Sequence, residues 1–460
     1  MRDTLNAVPP PPPRLSLGTK LGYGVGDLGA SLSYNAVNFF FLFFLVDVIG
    51  LRPGLAGAAL LSGRLIDAVT GPLMGTLSDR TRSRYGRRKP YIWAGFVPFG
   101  VSFALLWTIP EASQGVMFTL AASALALHAV VYTVVQVPYM ALTPELAPEY
   151  AERTSLSSYR VGFGTLASLI AAAAQPLLVA SLNGAAGLPG TSRFGWGTVG
   201  IVFGVVMSAS YLLMALSVNE PKRSAERDTQ PPLHSVLSVR GYGALVALFA
   251  SVTLGLSVVS SMLPFYLASL RLEPGEQTLI LGLLFVAAIV TLPLWNRVAA
   301  PRGKPTALAL GLAVLIVGLL LIVSVVPPTG LSLPLILAVT LAGTGTGAAL
   351  LFPWAMLPDV VEFDLLAHGA RREGLLYAVF TFAQKSAFAL GAALNALTLE
   401  LAHYTPAEPL SAQSAIAWMV GPAAAVAFFV ALLLAWRYPI RKADHDAARA
   451  TLSRDHKEVT

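Results

Sequence analysis

Long apolar stretches that recur along the whole chain constrain its fold more than any other feature. Helices of about 18 to 25 apolar residues are long enough to cross the roughly 30 Å hydrocarbon core of a bilayer. The 460-residue chain is 55% hydrophobic and only 12% charged, which is too apolar for a soluble globular protein. It is therefore predicted to be an all-α membrane protein. The twelve predicted spans are 21–47, 54–77, 91–110, 115–143, 156–182, 196–218, 241–270, 277–296, 306–327, 332–357, 375–402 and 412–436.

Positive charges are distributed unevenly between the loops. Of the 31 Lys and Arg residues, all but six lie in the two tails or in the loops that follow even-numbered spans. The exceptions are Arg52, Arg193 and Arg271 in the opposite loops, and Arg64, Arg160 and Lys385 inside spans. Because cytoplasmic loops keep positive charge during insertion, both termini are predicted to be cytoplasmic, in a bacterial inner membrane. The net charge of +7 needs no nucleic-acid partner, since it follows the topology and can meet anionic lipid headgroups.

Polar intervals divide the chain into two halves. Residues 219–240 form the widest polar interval between spans and are predicted to be a cytoplasmic linker. It separates an N-terminal six-helix bundle, 21–218, from a C-terminal one, 241–437. A run of prolines predicts that residues 1–20 form a disordered cytoplasmic tail, and 438–460 are predicted to be a second cytoplasmic tail. The chain has no cysteine, which excludes disulfides and thiolate metal sites.

Short motifs recur at matching positions in the two halves. Val137–Glu145, at the end of the fourth span, reads VPYMALTPE, and Phe352–Asp359, at the end of the tenth, reads FPWAMLPD. Arg153–Tyr159 and Arg372–Tyr377 open the fifth and eleventh spans with related residues. Two halves built as repeats predict a solute site near the midplane between them, to which access alternates as the halves rock.

Asp67 lies in the middle of the second span and shares one helix face with Arg64, Thr70 and Gly71, at spacings of three and four. Charged side chains inside a membrane are costly unless they face water or each other, so this face is predicted to line a functional cavity. The structural alternative is that Asp67 is permanently paired with Arg64 or Arg160 and only fixes helix packing.

The first span carries a stripe of polar side chains at helical spacing, namely Asp27, Ser31, Tyr34, Asn35 and Asn38. Such a stripe either lines a cavity or joins helices by hydrogen bonds. Five residues in register favour cavity lining for Tyr34, Asn35 and Asn38, whereas Asp27 is interpreted as a gate or packing residue. The phenylalanine-rich run that follows, 39–44, is predicted to face lipid.

Four segments resemble a known family: KLGYGVGD at 20–27, DAVTGPLMG at 67–75, SRYGRRKP at 83–90 and VPY at 137–139. They are similar to the glycoside-pentoside-hexuronide cation symporters, the melibiose-carrier branch of the major facilitator superfamily. The resemblance implies the major facilitator fold of two six-helix bundles, and symport of a sugar or sugar-like solute with H⁺ or Na⁺. Because the branch includes carriers of lysophospholipids, an anionic amphiphile is the alternative solute.

The resemblance also implies a cation site on the second helix. The sodium-coupled carriers place two carboxylates there, at the positions of Asp67 and Gly71, with polar residues at those of Thr70 and Thr133. Here the second acid is a glycine. Asp67, Thr70 and Thr133 are thus the predicted cation-binding residues. Since a lone carboxylate in a poorly hydrated place binds protons more readily, Asp67 is equally a candidate proton carrier.

Solute-binding residues follow from the same resemblance. Arg160 and Lys385 match cavity residues, whereas two acids used for galactoside recognition are replaced by Ser31 and Gln136, and an aromatic platform by Met140. The loss of two negative charges predicts a more positive cavity and an anionic solute. The predicted solute-binding set is Ser31, Tyr34, Asn35, Asn38, Arg64, Tyr132, Gln136, Arg160, Thr381 and Lys385. The structural alternative for Arg160 and Lys385 is an ion pair between the halves.

The loop 79–89 resembles the signature that the superfamily carries between its second and third helices. Asp79 can pair with nearby guanidinium groups when the cytoplasmic side is closed, and that contact breaks on opening. The predicted gating set is Asp27, Asp79, Arg80, Arg87, Arg88, Glu145 and Asp359. Further candidate partners are Glu149, Glu152, Arg153, Glu362, Arg371 and Arg372.

Functions of other classes are disfavoured. No catalytic constellation or nucleic-acid module is apparent, so we do not expect an enzyme, and repeated halves with midplane charges disfavour a channel. Gly343–Gly347 is interpreted as a stretch of small residues for close helix packing, and His128 as a core residue. We expect no cofactor or metal beyond the coupling ion. The expected partners are a small-molecule solute and the lipid bilayer, and the chain is expected to be a monomer.

Overall fold

A computed structural model of the chain describes residues 15–147, 150–189, 192–220, 239–270, 272, 274–324, 331–368 and 373–440. These residues form helices and no strands, which confirms the all-α prediction. The helices of the N-terminal half are α1 (Leu17–Ala36, continued by π-helical segments Val37–Phe41 and Phe44–Val48), α2 (Pro53–Arg80), α3 (Lys89–Leu106), α4 (Gln114–Leu146), α5 (Tyr150–Leu169, continued by Ile170–Ala174 and Gln175–Ala185) and α6 (Arg193–Ser217). Those of the C-terminal half are α7 (Tyr242–Ser269), α8 (Pro274–Val290, continued by Leu292–Arg302), α9 (Lys304–Ser324), α10 (Leu333–His368), α11 (Glu373–Leu401) and α12 (Gln413–Trp418, continued by Met419–Ala423 and Ala424–Trp436).

The helices differ in how apolar they are. Among the described residues, ten helices, α3 to α12, are long and apolar enough to cross a membrane. The two that fall short, α1 and α2, lie where the first two spans are predicted and carry the polar stripe of α1 and the charged face of α2. Their low hydropathy fits helices that line a polar cavity inside a bundle, where fewer lipid-facing residues are needed.

Equivalent helices pack on each other in both halves. In the N-terminal half α1 packs on α5, α2 on α4 and α3 on α6, and in the C-terminal half α7 packs on α11, α8 on α10 and α9 on α12. Each pair of the second half is the counterpart, six helices later, of a pair in the first. The chain therefore has the two pseudo-repeated bundles of the major facilitator fold, and α2 joins them by packing on α11.

The aromatic run at 39–44 does not face lipid as predicted. Phe41 and Phe44 have no exposed surface, and both lie against Trp107 at ring-centroid distances of 5.4 and 5.2 Å. The backbone here is π-helical over Val37–Phe41 and again over Phe44–Val48. Each wide turn holds more residues than an α-turn, so the side chains beyond it point in directions that a period of 3.6 residues does not give.

The first helix begins inside the predicted tail. Ser16 caps α1, because its hydroxyl accepts the backbone N–H of Thr19 at 3.1 Å, and Lys20 pairs with Glu152 at 2.9 Å. Residues 17–20 are therefore helical and not part of a disordered tail. Residues 1–14 of the predicted N-terminal tail, most of the predicted linker and most of the predicted C-terminal tail lie outside the described residues.

Small residues in α10 allow helices to approach closely. A side chain at Gly345 would overlap the backbone of α9 at Leu315, and one at Gly343 would overlap the backbone of α8 at Leu284. The interpretation of Gly343–Gly347 as packing residues is confirmed. A glycine at each of these two positions lets α10 lie against two neighbouring helices.

The two halves meet at one end of the bundle. We call the end that carries the loop between α2 and α3 the basic-loop end, and the other the contact end. At the contact end Phe39 lies 5.5 Å from Phe285 and Phe43 lies 5.2 Å from Phe265, as distances between ring centroids. A side chain at Gly57 of α2 would lie 2.5 Å from Ala396 of α11, so the two backbones are close.

Polar contacts reinforce the contact end. A carboxylate oxygen of Glu400 accepts the backbone N–H of Gly54 at 2.8 Å, so the start of α2 is capped by a residue of the other half. The Tyr404 hydroxyl donates to Asp47 at 3.0 Å. These bonds must break before the halves separate at this end.

Candidate functional site

An ion pair joins the halves midway along their contacting helices. Lys385 Nζ of α11 lies 2.7 Å from Asp67 Oδ2 of α2. Asp67 is only 7% exposed, whereas the Lys385 side chain is 36% exposed. This arrangement corresponds to the structural alternative for Lys385, a pair between the halves, and it differs from that for Asp67, which named Arg64 or Arg160 as the partner.

The predicted cation-binding residues lie together around Asp67. Thr133 Oγ1 donates to Asp67 Oδ1 at 3.0 Å, and Thr70 Oγ1 lies 3.4 Å from Thr133 Oγ1. The Lys385 ammonium thus approaches the same carboxylate that a coupling cation would need. The cluster has one carboxylate, and a side chain at Gly71, one turn away, would meet no atom within 4 Å.

Arg64 is held by α1 and not by Asp67. Its guanidinium donates to Asn38 Oδ1 and lies 5.5 Å from the centroid of the Tyr34 ring. Tyr34 in turn meets Phe388 of α11 edge-on at 5.5 Å. Within the described part of the chain, the Tyr34 hydroxyl and the Asn38 amide nitrogen are buried without a well-formed hydrogen bond, although the two side chains lie close enough to interact. Buried polar groups that lack good partners are costly, so both can bond to a solute or to water.

These side chains line a small cavity that opens to solvent. Its lining includes Tyr34, Arg64, Asp67, His128, Tyr132 and Lys385. With two cations, one carboxylate and two phenols in its wall, the cavity can bind an anionic group and stack against an apolar ring face. Among the predicted solute-binding residues Tyr34, Arg64, Tyr132 and Lys385 line it directly, and Asn38 holds Arg64 in place.

Other predicted solute-binding residues lie elsewhere. Asn35 donates to Ser31 O at 2.7 Å and to Ser168 of α5 at 2.9 Å, so it joins helices and does not line this cavity as predicted. Thr381 donates to carbonyl groups of its own helix, at Tyr377 and Ala378.

A second polar cluster surrounds Asp27. Ser31 Oγ lies 3.5 Å from Asp27 Oδ2, and Gln136 accepts a hydrogen bond from Tyr211 at 2.5 Å. Arg160 interacts electrostatically with Asp27 and donates to the Met140 sulfur at 3.1 Å. Arg160 and Gln136 are thus not brought to Asp67 but form this separate cluster within the N-terminal half.

Predicted gating residues form ion pairs inside each half. Arg88 pairs with Asp79 and donates to Glu145 at 3.4 Å, and Arg87 lies 2.8 Å from Glu145. In the C-terminal half Lys304 lies 2.6 Å from Asp359. The structure brings these residues together in pairs, whereas Arg80 is exposed. Glu149, Arg371 and Arg372 lie outside the described residues.

Three kinds of site residue were missed by sequence reasoning. His128 is buried, as its interpretation as a core residue requires, but it also lines the cavity, as does Ser33. Asp47 and Tyr404 bond across the halves. Glu220 accepts the backbone N–H groups of Arg87, Arg88 and Lys89 and so caps the start of α3. A histidine deep in a predicted span is a signal that the sequence offers. The pairs Asp47–Tyr404 and Glu220–Arg87 are separated by more than a hundred positions, and no sequence pattern indicates them.

Two pseudo-repeated six-helix bundles with a charged cavity between them define a secondary membrane transporter. The profile of a family described as MFS/sugar transport protein matches residues 22–442 of this chain. The chain therefore belongs to that family. This bears out the resemblance noted from the sequence.

Related proteins are named as transporters. An uncharacterized symporter of Synechocystis sp. is 30% identical, over 95% of this chain and 97% of the relative. An isoprimeverose transporter of Lactiplantibacillus pentosus is 28% identical, over 86% and 82%. A sodium-dependent lysophosphatidylcholine symporter of Danio rerio is 28% identical, over 96% and 90%.

Solved structures support the fold. A bacterial homolog of the human lysosomal transporter Spinster, in an inward-facing and occupied conformation, superposes with a TM-score of 0.64. The match covers 95% of this chain and 97% of that one at 13% identity, so it bears on the fold alone.

Proposed function

We propose that this transporter is a symporter for an anionic sugar-like solute, coupled to H⁺ or Na⁺ at Asp67. The observation that carries the proposal is the ion pair between Lys385 and Asp67 across the two halves. In the structure the ammonium occupies the carboxylate that a cation or proton would use. Coupling is then an exchange of partners at one carboxylate.

The charges of the cavity indicate that the cation or proton binds before the solute. When a cation or proton neutralises Asp67, Lys385 loses its partner and becomes available to the cavity. Lys385 and Arg64 together then present two positive charges to the solute, and a carboxylate, sulfonate or phosphate group satisfies both. An anion bound there stabilises the state in which the cation is also bound, and such mutual stabilisation is what symport requires.

The sugar-like part of the proposal rests on the cavity wall. Tyr34 and Tyr132 supply ring faces, and the Tyr34 hydroxyl, with the neighbouring Asn38 amide behind it, supplies a hydrogen-bonding group. This combination suits a ring that is apolar on its face and polar at its edge. The family description and the isoprimeverose transporter among the relatives support a glycoside.

The topology completes the proposal. The basic-loop end faces the cytoplasm of a bacterial cell, because positive charge is concentrated there. Because the halves touch at the contact end, we assign the structure to a state in which the periplasmic side is closed. Transport proceeds when the contact-end bonds break and the halves close at the basic-loop end.

Counterflow in proteoliposomes tests the proposal. Methyl β-D-glucuronide and methyl β-D-glucoside are compared, each in sodium or choline medium at pH 5.5 and 7.5. We expect faster exchange of the glucuronide and a requirement for either sodium or low pH. Asp67→Asn is expected to abolish accumulation while part of the exchange remains. Equal transport of the neutral and the anionic glycoside contradicts the anionic assignment, and unchanged accumulation by Asp67→Asn contradicts the coupling.

A lysophospholipid is the second candidate. An apolar groove on α5, formed by Ser158, Tyr159, Gly162, Phe163 and Leu166, is wide open and suits an acyl chain. The same assay with lysophosphatidylcholine against glycerophosphocholine separates the two candidates. Exchange of the lipid but of neither glycoside favours the amphiphile.

A further inference from the structure

His128 is bonded at both ring nitrogens in the wall of the solute cavity. It is 7% exposed and lies on α4 between α1 and α3. Its Nε2 lies 2.8 Å from Ser33 Oγ of α1, and its Nδ1 lies 3.0 Å from Ser102 Oγ of α3. The ring stacks on Phe99 with centroids 5.5 Å apart. Two hydrogen bonds and a stacking contact fix the orientation of the imidazole.

All three hydrogen bonds around the ring form together for only one placement of the imidazole hydrogen. Ser102 has one hydroxyl hydrogen, and the carbonyl of Phe99, 3.0 Å away, can only accept it. We assign that hydrogen to the carbonyl, so that Ser102 accepts from His128 and Nδ1 carries the imidazole hydrogen. In a neutral ring Nε2 is consequently an acceptor, and the hydroxyl hydrogen of Ser33 points to it.

The direction of the Ser33 hydroxyl matters because Ser33 also lines the cavity. With its only hydrogen given to His128, Ser33 Oγ offers the cavity lone pairs alone. We propose that His128 is a positioning residue that sets solute specificity: it holds Ser33 as a hydrogen-bond acceptor for a hydroxyl group of the solute. This inference rests on the proposed function, since it concerns the same cavity.

The chemical consequence is a choice between hydroxyl and ether groups. A solute hydroxyl at this position donates to Ser33, whereas a methoxy group or a deoxy carbon cannot. The two cations of the cavity wall, Arg64 and Lys385, are donors only and cannot supply this acceptor.

The first test measures the tautomer and needs no solute. Solid-state NMR of ¹⁵N-histidine-labelled protein in lipid is compared between the wild type and His128→Gln, which identifies the His128 signal. The hydrogen is expected on Nδ1, with Nε2 unprotonated. A neutral ring with its hydrogen on Nε2 overturns the proposal, because Ser33 then becomes a donor to the cavity.

The second test measures specificity. Methyl β-D-glucuronide and its singly deoxygenated and singly O-methylated derivatives compete for counterflow by the wild type, Ser33→Ala, Ser33→Thr and His128→Gln. At one of the hydroxyl positions, the wild type is expected to prefer methyl β-D-glucuronide about tenfold over the derivatives altered there, which corresponds to one neutral hydrogen bond. Ser33→Ala and His128→Gln are expected to remove that preference, whereas Ser33→Thr retains it.

The outcomes separate the proposed role of His128 from the proposed function of the transporter. Loss of rate for every derivative in His128→Gln, with the preference kept, shows a purely structural role and overturns the proposal. A wild type that exchanges no glycoside contradicts the proposed function, while the tautomer measurement still decides the state of His128.

Discussion

The contact end and the basic-loop end hold their charged and polar side chains in opposite ways. At the contact end Glu400 bonds to the start of α2 and Tyr404 bonds to Asp47, so these bonds cross from one half to the other. At the basic-loop end Arg88 pairs with Asp79, and Lys304 pairs with Asp359, each within its own half.

This difference separates two roles of polar contacts in a transporter. Bonds within a half keep that bundle rigid through the transport cycle and need not break. Bonds between halves exist in one conformation only, so their strength sets how the conformations are populated. The Asp67–Lys385 pair lies between the two ends and crosses the halves, and it is therefore the point at which solute and cation binding can alter that balance.

Removing the charge of Asp67 is expected to have the largest effect. Asp67→Asn leaves Lys385 without its partner and the cavity without its cation ligand. Initial rates of uptake should fall roughly 10- to 100-fold, as expected for hydrogen bonds to charged groups, and accumulation should stop at equilibration. Glu400→Gln, which weakens the contact end and spares the centre, serves as the control. Accumulation that persists in Asp67→Asn removes the central pair from the coupling mechanism.

A wedge at the contact end is expected to have the next largest effect. Gly57→Val places a side chain against Ala396 and should disfavour closure there by about 1–3 kcal/mol, a shift of about 5- to 150-fold in the conformational equilibrium. Gly115→Val is the matched control at the same end, because a side chain at Gly115 meets no atom within 4 Å.

Distances between spin labels measure this shift in the conformational equilibrium. The chain has no native cysteine, so pairs such as Glu111→Cys with Glu408→Cys can report on the contact end alone. In Gly57→Val the distance across that end should lengthen, and in Gly115→Val it should not. A distance distribution unchanged by Gly57→Val means that the two backbones do not close this end.

Loss of the Tyr404 hydroxyl is expected to have a moderate effect. Burial, together with the neighbouring Asp47, raises the pKa of the Tyr404 phenol above its ordinary range, so it stays protonated and donates. Tyr404→Phe should lower stability at neutral pH by about 1 kcal/mol, the usual worth of a hydrogen bond, with a small opening of the contact end.

The pH dependence of the stability difference between the wild type and Tyr404→Phe is a second check. Because the folded pKa is raised, ionisation of the phenol does not reduce the contribution of Tyr404 below about pH 10, the ordinary tyrosine pKa, and removes it as pH rises further. The gap in melting temperature between the wild type and Tyr404→Phe should therefore narrow above that pH. A gap that stays constant to pH 11 contradicts the assignment of the phenol as the donor.

Breaking a pair within one half is expected to have the smallest effect. Lys304→Gln removes the ion pair between Lys304 and Asp359, and a partly exposed ion pair contributes roughly 0.2–1 kcal/mol. We expect a slightly lower melting temperature and no change in the spin-label distance across the contact end. A large shift of that distance would show that the pair also controls the conformation.

Much of the fold was predictable because it depends on local patterns. Apolar length gave the helices, and repeated motifs such as Val137–Glu145 and Phe352–Asp359 gave the two halves. At the site, spacing on one helix predicts Asp67 and Thr70 on the same face, and the structure places Thr133, which the family resemblance predicts, beside them.

The rest depends on distances between helices that no local pattern encodes. Lys385 could be placed in the cavity, but whether it binds the solute or pairs with an acid of the other half could not be decided until α2 and α11 were packed together. Asn35 was assigned to the cavity because it shares a stripe with Tyr34, although it bonds to Ser168 of α5. His128 was assigned to the core because burial alone does not show which wall of the core is also the wall of a cavity.

Because α1 contains π-helical segments, the contacts made by the end of α1 depend on the exact number of residues in those segments. Each wide turn acts as a one-residue insertion, which rotates every later side chain by about 100° about the helix axis. Phe43 and Asp47 lie beyond the first of these turns and point to the other half in that rotated frame. Deleting a single residue within Val37–Phe41 would restore a regular helix and turn both side chains away from their partners, although neither would itself be changed.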